Sequence, residues 1–305
     1  MKLPLSIVAS WAWGTSLIVG MQIAQQKGLM AWTIWATANC LTLILFGFLT
    51  RTGFLTRKVF DYKAIKWAAI GIQIFCLIIQ LNILNTIAVQ MGAINELAYL
   101  FSSALGIIFT LWMYKHGLET SIWTDKWQAL ITAFLLVVIL AIGLCTDVRM
   151  LTHPQSSGSD ILWGIWSACI LFSGPIGDVQ HWQRADVAGK SHAFTIAGAL
   201  FAVYMLLVLA MSFFEFNWIM NILLILAVIG VTTSTIDSIA VSLHEIANRN
   251  IGTAVALFVC VFWGVFASMG IIDLWSKAGT FRVAFALSII GLAFYYHKKN
   301  LIKSV

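Results

Sequence analysis

A run of polar residues lies inside an otherwise apolar stretch near positions 216–247, and its side chains are of the types that bind cations. Between positions 232 and 238 the run holds five hydroxyls and one carboxyl. The stretch is long enough to cross a bilayer, where polar clusters commonly line ion or solute paths because an uncompensated carboxylate is costly. On a helix with about 100° per residue, Ser234, Asp237 and Ser238 share one face.

The same run supplies half of a site for a small hard cation. The carbonyl of Val231 points between the side chains of Ser234 and Thr235, about one turn further along the helix. Two hydroxyls and a carbonyl provide the oxygen ligands that hard cations prefer. The alternative is structural, since serine and threonine hydroxyls often bond to the preceding turn and ease helix packing. The carboxyl of Asp237 beside them favours the cation site.

The elements that position this run are those of a polytopic membrane protein. Of 305 residues, 61% are hydrophobic, 10% are charged and 3 are prolines, a composition far from that of soluble domains. We predict hydrophobic segments of about 20 residues each, the length that crosses a bilayer. Ten such segments lie near positions 3–25, 29–50, 64–87, 91–114, 122–145, 160–180, 191–213, 217–247, 251–272 and 279–296.

The basic residues predict how these segments are oriented. Fourteen of the 18 Lys and Arg residues fall in alternate loops on one face, and the other face receives Lys27, Arg149, Lys277 and Arg282. By the positive-inside rule, both termini are expected in the cytoplasm, in a protein that we place in a bacterial inner membrane. The net charge of +6 is spread over the loops, so it indicates topology rather than nucleic-acid binding.

The segments form two groups of five with opposite orientation, because segment one enters from the basic face and segment six from the other. This predicts an inverted repeat, the usual plan of secondary transporters. The repeats are residues 1–145 and 160–305, joined by a flexible external linker at 146–159.

Segments one and six are predicted to be broken helices. Segment one carries Gly14 between hydroxyl residues, and segment six carries Pro175 between Gly174 and Gly177. Non-helical backbone at membrane depth is tolerated where it is buried or lines a cavity. Two breaks at corresponding positions of two repeats therefore indicate a binding site between them.

Three stretches carry recognisable motifs: Gly117–Gln128 with a central Trp-Thr-Asp, Gly174–Ala185 with Gly-Asp and Trp-Gln-Arg-Ala, and Ser234-Thr-Ile-Asp-Ser238. They resemble motifs of the sodium/solute symporter family, the relatives of the sodium-coupled glucose, proline and pantothenate carriers. They occur in the expected order over most of the chain. The resemblance implies a leucine-transporter-like fold and covers the ten-helix core of a family whose members usually run longer.

The resemblance also implies a sodium site between segments one and eight. Its ligands would be the main-chain carbonyls of Ala9, Ala12 and Val231 with the hydroxyls of Ser234 and Thr235. Such a site is physically consistent, because freed carbonyls at a helix break coordinate cations in other broken-helix carriers.

Other charged residues in the matching motifs receive less specific roles. Asp125 matches an acidic residue at the start of the fifth core helix, where with Asp237 and Ser238 it would frame a second cation site or couple protons. The structural alternative is a hydrogen-bonded carboxyl that stabilises the bundle. Asp178 and Arg184 are expected to pair and close an inner gate.

The solute is expected to bind between the two breaks. Gln73 and Gln80 are seven residues apart and share a face of segment three, although buried amides also commonly bond between helices. No Lys or Arg is obviously placed at mid-membrane, which disfavours a strongly anionic solute. The predicted solute-binding residues are Trp13, Gly14, Ser16, Gln73, Gln80, Ser173 and Gly174.

Together these features predict a transporter that couples uptake of a small organic solute to sodium entry by alternating access. Sodium is the only ion or cofactor expected, and the partners are the solute and the lipid bilayer. One alternative is a sodium-independent drug/metabolite-type exporter with ten helices. Another is a non-transporting sensor or subunit on a symporter core. An enzyme is not expected, because no nucleophile, base and acid occur at a shared depth.

Overall fold

A computed structural model describes the backbone of residues 2–303 and the side chains of residues 2–297. The chain is 86% helical and no strand forms among these residues. The helices are α1 (Lys2–Trp11), α2 (Gly14–Arg51), α3 (Lys63–Gln90), α4 (Asn95–Cys145), α5 (Gly158–Gly177), α6 (Val179–Ala188), α7 (Ala193–Met211), α8 (Trp218–Ala247), α9 (Arg249–Phe262) and α10 (Ile271–Lys303), with 3-10 helices at Arg57–Asp61 and Trp263–Phe266. Lys298, Lys299 and Lys303, which the charge count includes, and the last two residues of the predicted second repeat lie outside the described side chains.

Eight helices of the described chain are long and apolar enough to cross a membrane: α2, α3, α4, α5, α7, α8, α10, and α9 with the 3-10 turn that follows it. The predicted class, an all-α integral membrane protein, is confirmed at this level.

The first predicted segment is interrupted between α1 and α2, at Ala12 and Trp13. Trp13 has extended backbone, with φ −47° and ψ 153°, and its indole donates to the carbonyl of Ser10 at 3.1 Å. Gly14 packs so closely against α3 and α8 that a side chain at this position would collide with Thr232. The break lies within the stretch that the sequence indicated.

The sixth predicted segment is interrupted at Asp178, which separates α5 from α6 in extended backbone with φ −96° and ψ 108°. Pro175 lies inside α5 rather than at the break. Proline cannot donate to the carbonyl four residues earlier. That carbonyl, of Leu171, instead accepts from the hydroxyl of Thr42 at 3.0 Å. Because α2 satisfies the freed carbonyl, the helix continues through the proline.

Two further glycines divide long helices. Gly28 in α2 and Gly117 in α4 have left-handed backbone with φ of 81° and 74°. The region suits glycine, which has no side chain to collide with its own backbone. Gly28 also lies against the linker, where an added β-carbon would come within 2.7 Å of the Ser156 hydroxyl. These positions separate predicted segments one from two and four from five.

The predicted flexible linker at 146–159 is tied to both halves of the chain. The N–H of Leu151 donates to the carbonyl of Phe213 at 2.7 Å, beyond the end of α7. The hydroxyl of Ser156 donates to the carbonyl of Lys27 at 2.7 Å, beside Gly28 in α2. The linker is therefore held in place rather than free.

Helix α8 lies at the centre of the bundle and carries the polar run. It packs against α1, α3, α4, α6 and α9. Every residue at positions 231–243 is buried, so this part of α8 has no lipid-facing side. A helix that is buried all round must satisfy its polar groups against its neighbours. The polar run of α8 is therefore part of the interior.

Candidate functional site

A buried ion pair joins α4 to α6 beside the polar run of α8. Nη2 of Arg184 lies 2.5 Å from Oδ2 of Asp125, and both side chains are 0% exposed. Taking two charges out of water is expensive unless the pair is close and its remaining polar atoms find partners. The surroundings of this pair meet that condition.

Hydroxyls from α1 and α8 complete the bonding of the pair. Asp125 accepts from Ser6 at 2.7 Å and from Ser234 at 2.6 Å. Arg184 donates to the hydroxyls of Ser6 at 2.9 Å and Ser238 at 2.8 Å, and to the carbonyl of Gln180 at 2.9 Å. We call Asp125 and Arg184 the saturated pair, because hydroxyls and a carbonyl surround their charged groups. With these partners the pair links α1, α4, α6 and α8.

Asp237 lies next to the saturated pair and is held by hydroxyls. It accepts from Thr124 at 2.9 Å, from Ser121 at 3.0 Å and from Ser238 at 3.2 Å. The predicted grouping of Asp125, Asp237 and Ser238 is present. The guanidinium of Arg184 supplies a positive charge at this place, so the described conformation fits the structural alternative, and the second cation or proton site stays a prediction.

The predicted sodium ligands on α8 are only partly available to α1. The hydroxyl of Thr235 donates to the carbonyl of Val231 at 3.0 Å, a bond within α8. Ser234 donates to Asp125 instead. In this conformation its hydroxyl belongs to the saturated pair, and its role as a sodium ligand stays a prediction. Ala9 and Ala12 are buried at the end of α1.

In the described conformation the predicted inner-gate residues Asp178 and Arg184 do not pair with each other. Asp178 lies at the break before α6, and its Oδ1 is 3.5 Å from Nε of Arg282. Arg184 lies nearly two turns further along α6 and pairs with Asp125. Two positions six residues apart point to different sides of a helix, so the side chains of Asp178 and Arg184 reach different neighbours.

Arg282 is the functional residue that sequence reasoning missed. It lies inside α10 and is 3% exposed, although charge counting placed it in a loop. Its guanidinium lies 4.9 Å from the ring centre of Trp13, and Nη2 donates to Sγ of Cys76 at 3.3 Å. A signal was available, because Arg282 shares a helical face with the buried residues Ala278, Phe285, Ala286 and Ile289.

The bonding around Asp178 and Arg282 is incomplete. Oδ2 of Asp178 and Nε of Arg282 are buried and have no hydrogen-bond partner among the described residues. The contact between the two side chains, at 3.5 Å, is longer than a charge-assisted hydrogen bond. We call Asp178 and Arg282 the open pair, in contrast to the saturated pair.

A cavity of about 20 Å³ lies beside the open pair and the first break. The predicted solute residues Trp13 and Ser16 line it. Gly174 packs against Trp11, and an added β-carbon there would come within 3.5 Å of Nη1 of Arg282. Ser173 points back into α5, where its hydroxyl donates to a carbonyl at 2.6 Å. The lining includes Trp11, Trp13, Ser16, Trp35, Trp275 and Arg282.

The predicted amides on α3 are buried but do not line that cavity. Gln73 and Gln80 are both 0% exposed, and neither end of either amide has a hydrogen-bond partner among the described residues. Cys76, which contacts both members of the open pair, lies between the two glutamines in the sequence of α3. His181 on α6 is likewise buried without partners and packs edge-on against Trp11. Buried polar groups normally find partners, so these unpaired groups are candidates for contact with a polar ligand.

At the end of the bundle that carries the basic loops, side chains from three elements meet beside a cleft of about 360 Å³, lined in part by Arg57, Val179 and Glu245. Arg57 in the first 3-10 helix forms ion pairs with Asp186 of α6 and Glu245 of α8. Gln183 of α6 donates to Glu245 at 2.5 Å. At the opposite end, a cleft of about 300 Å³ opens between α2, α3, α8 and the linker, lined in part by Gln25.

These features define an integral membrane protein of bundled helices with charged groups in its interior and an interruption in two of its helical segments. Comparisons with protein-family models and with curated proteins found no match. The likeness to sodium/solute symporters therefore depends on the sequence motifs, and membership of that family stays a prediction.

Proposed function

We propose that this protein is a secondary active transporter that couples the uptake of a small organic solute to sodium entry. The observation that carries the proposal is a set of buried, unpaired polar groups in a bundle with two helix breaks. Gln73, Gln80 and the open pair are buried without complete bonding. Interior groups of this kind stabilise a bundle poorly but recognise a polar solute well.

The proposed architecture is ten membrane spans in two inverted repeats of five. The ten spans follow when α1 and residues 14–27 count as one interrupted span, and when α2 and α4 are divided at Gly28 and Gly117. In the second repeat, α5 and α6 form the corresponding interrupted span across Asp178. Inverted repeats with discontinuous helices at the midplane are the common plan of secondary transporters.

The basic end of the bundle is proposed to face the cytoplasm of a bacterial inner membrane, as the distribution of Lys and Arg predicts. Ion pairs of Arg57 with Asp186 and Glu245 cross this end beside a cleft of about 360 Å³, and a cleft of about 300 Å³ opens at the other end. Under this proposal these ion pairs restrict access from the cytoplasm to the solute site. These three residues then replace Asp178 and Arg184 as the inner gate.

Sodium is proposed to bind where the end of α1 meets α8, with carbonyls of Ala9, Ala12 and Val231 and the hydroxyl of Thr235. Ser234 joins this set in a conformation in which movement of α1 and α8 takes its hydroxyl away from Asp125. Oxygen atoms from two helices that move relative to each other bind the ion in one arrangement and not in the other. Coupling requires this difference in affinity and nothing more.

The test is uptake into proteoliposomes with an imposed sodium gradient, using a panel of labelled solutes. Sodium-driven uptake is expected in the unmodified protein and is expected to fall at least tenfold in Thr235→Ala. Thr233→Ala is the matched control, since the Thr233 hydroxyl bonds within its own helix and to Gln128 on the other side of α8.

Uptake that is indifferent to sodium in both proteins would overturn the sodium coupling. Efflux driven by protons or exchange would favour the drug/metabolite-type exporter. Binding of a solute without any flux would favour a sensor or subunit.

A further inference from the structure

We propose that the solute is a zwitterion with a flat aromatic group, of the kind represented by an aromatic α-amino acid. The inference rests on the proposed function, because it assigns the chemistry of the solute to the same interior site. It comes from the open pair and from the tryptophans that surround the cavity beside it.

The first step concerns charge. Arg282 and Asp178 are opposite charges, each fully or almost fully buried, and they are in loose contact at 3.5 Å. An anionic solute would leave the site with a net negative charge, and a cationic solute would leave it positive. A zwitterion adds no net charge, so it avoids the cost of burying an uncompensated ion.

The second step concerns unpaired atoms. Nε of Arg282 and Oδ2 of Asp178 have no hydrogen-bond partner among the described residues. A carboxylate matches the donor geometry of a guanidinium, and an ammonium group supplies the donors that a carboxylate oxygen accepts. Binding a zwitterion therefore replaces one long contact with two short ones. Each charge of the open pair gains a partner of opposite sign.

The third step concerns shape. The cavity beside Arg282 is lined by the indoles of Trp11, Trp13, Trp35 and Trp275. Large aromatic side chains bind a flat ring through offset or edge-on contacts. The guanidinium of Arg282 lies over the ring of Trp13, so the aromatic wall and the charged group adjoin each other.

The cavity of about 20 Å³ is too small for such a solute in the described conformation. Entry requires the guanidinium to leave the face of Trp13. Exchange of the Asp178 contact for the solute carboxylate moves Arg282 in that way and makes the space for the ring. The site is therefore small when the open pair is formed and larger when the solute divides it.

The experiment is a binding panel on the purified protein, measured as displacement of the thermal unfolding midpoint over a concentration series in sodium. The probes are phenylalanine, phenylalaninamide, 3-phenylpropanoate and alanine. Phenylalanine carries both charges and the ring, and each of the others lacks one of the three features. We expect phenylalanine to bind at least tenfold more tightly than any of the others, since each charged contact or buried ring contributes about that factor.

Variants test which residues read the charges. Arg282→Gln is expected to abolish the preference for phenylalanine over phenylalaninamide, and Asp178→Asn the preference over 3-phenylpropanoate. Lys277→Gln is the matched control, because Lys277 is an exposed positive charge on the same helix. The double variant Asp178→Asn/Arg282→Gln removes both charges together. It is the control for single variants that fail to fold because one buried charge is left without its partner.

Equal binding of phenylalanine and its amide, or of phenylalanine and alanine, would overturn the inference. So would the absence of binding to every member of the panel. Sodium-driven uptake of another solute, such as a sugar, would in that case leave the proposed transport function intact. Binding of phenylalanine without flux would support the inference about the solute and contradict the proposed transport function.

Discussion

The two buried aspartate–arginine pairs of this protein differ in how completely they are bonded. The saturated pair, Asp125 with Arg184, is closed at 2.5 Å and surrounded by hydroxyls from α1 and α8. The open pair, Asp178 with Arg282, is separated by 3.5 Å and leaves two polar atoms without partners among the described residues. The same two residue types therefore occupy opposite extremes of polar satisfaction within one bundle.

The difference separates stability from recognition. A buried charge pair stabilises a fold only when its geometry and remaining hydrogen bonds compensate for lost hydration. The saturated pair meets this requirement and links α1, α4, α6 and α8. The open pair leaves capacity that a ligand can use, beside a cavity lined by tryptophans. Asp178 of the open pair directly precedes α6, and Arg184 of the saturated pair lies within it. This ten-residue helix therefore connects the two pairs.

The largest expected effect comes from breaking the saturated pair. Arg184→Gln leaves Asp125 buried without its counter-charge, a change that costs about 3–5 kcal/mol in comparable buried pairs. We expect a loss of folded protein, measured as a lowered midpoint of thermal unfolding in detergent. The double variant Asp125→Asn/Arg184→Gln is expected to recover part of the loss. A midpoint for Arg184→Gln no lower than that for Arg282→Gln would contradict the comparison.

The second effect concerns binding rather than folding. Arg282→Gln removes the donor that we assign to the solute carboxylate, and it breaks a long contact to Asp178, a hydrogen bond to Cys76 and the contact with the Trp13 ring. We expect solute binding to weaken at least tenfold, while the thermal midpoint falls by less than half the fall in Arg184→Gln. Solute titration and unfolding of the same preparation measure both quantities. Unchanged binding with a large loss of stability would place Arg282 among the structural residues.

A smaller effect distinguishes two neighbouring hydroxyls on α8. Ser234→Ala removes a donor from the buried carboxylate of Asp125, which costs about 1–3 kcal/mol when an acceptor is left unsatisfied. Thr235→Ala removes a hydroxyl that bonds within α8, so little stability is lost, but a proposed sodium ligand disappears. Unfolding curves recorded with sodium or with potassium separate the two variants. Loss of the sodium-induced stabilisation in Ser234→Ala alone would return Ser234 to the ion site.

The smallest effect on stability is expected at the basic end of the bundle. Arg57 and Glu245 are about one third exposed, and pairs of this kind contribute about 0–1 kcal/mol. We expect Arg57→Gln to open the interior to that side. The rate of thiol labelling at Val179→Cys, in a background with the exposed Cys145 and Cys169 replaced by serine, should rise. An unchanged rate would remove Arg57 from the gate.

Hydropathy and backbone chemistry predict the frame of this protein well. Apolar length locates the helices, and Gly14 directly follows the first interruption, at Ala12 and Trp13. Proline misplaces the second, since the hydroxyl of Thr42 compensates Pro175 and the break moves to Asp178. That compensation depends on a residue more than a hundred positions away, which no local pattern contains.

The partners of the buried charges are less predictable for the same reason. The sequence places Asp125 near Ser238, but the side of α6 that faces them depends on how that helix is rotated in the bundle. Arg282 shows how one rule obscures another, because counting it as a loop charge hid its place on the buried face of α10. Periodicity along α10 would have located the residue. Its pairing with Asp178 required the tertiary structure.

A double-mutant cycle on each of the two pairs, measured by equilibrium unfolding in mixed micelles without solute, tests the central claim most directly. The cycle isolates the coupling between two side chains from their separate contributions. We predict a coupling free energy between Asp125 and Arg184 that is at least twice the coupling between Asp178 and Arg282. Equal couplings, or a stronger coupling between Asp178 and Arg282, would contradict the division of the two pairs into a structural pair and a ligand-binding pair.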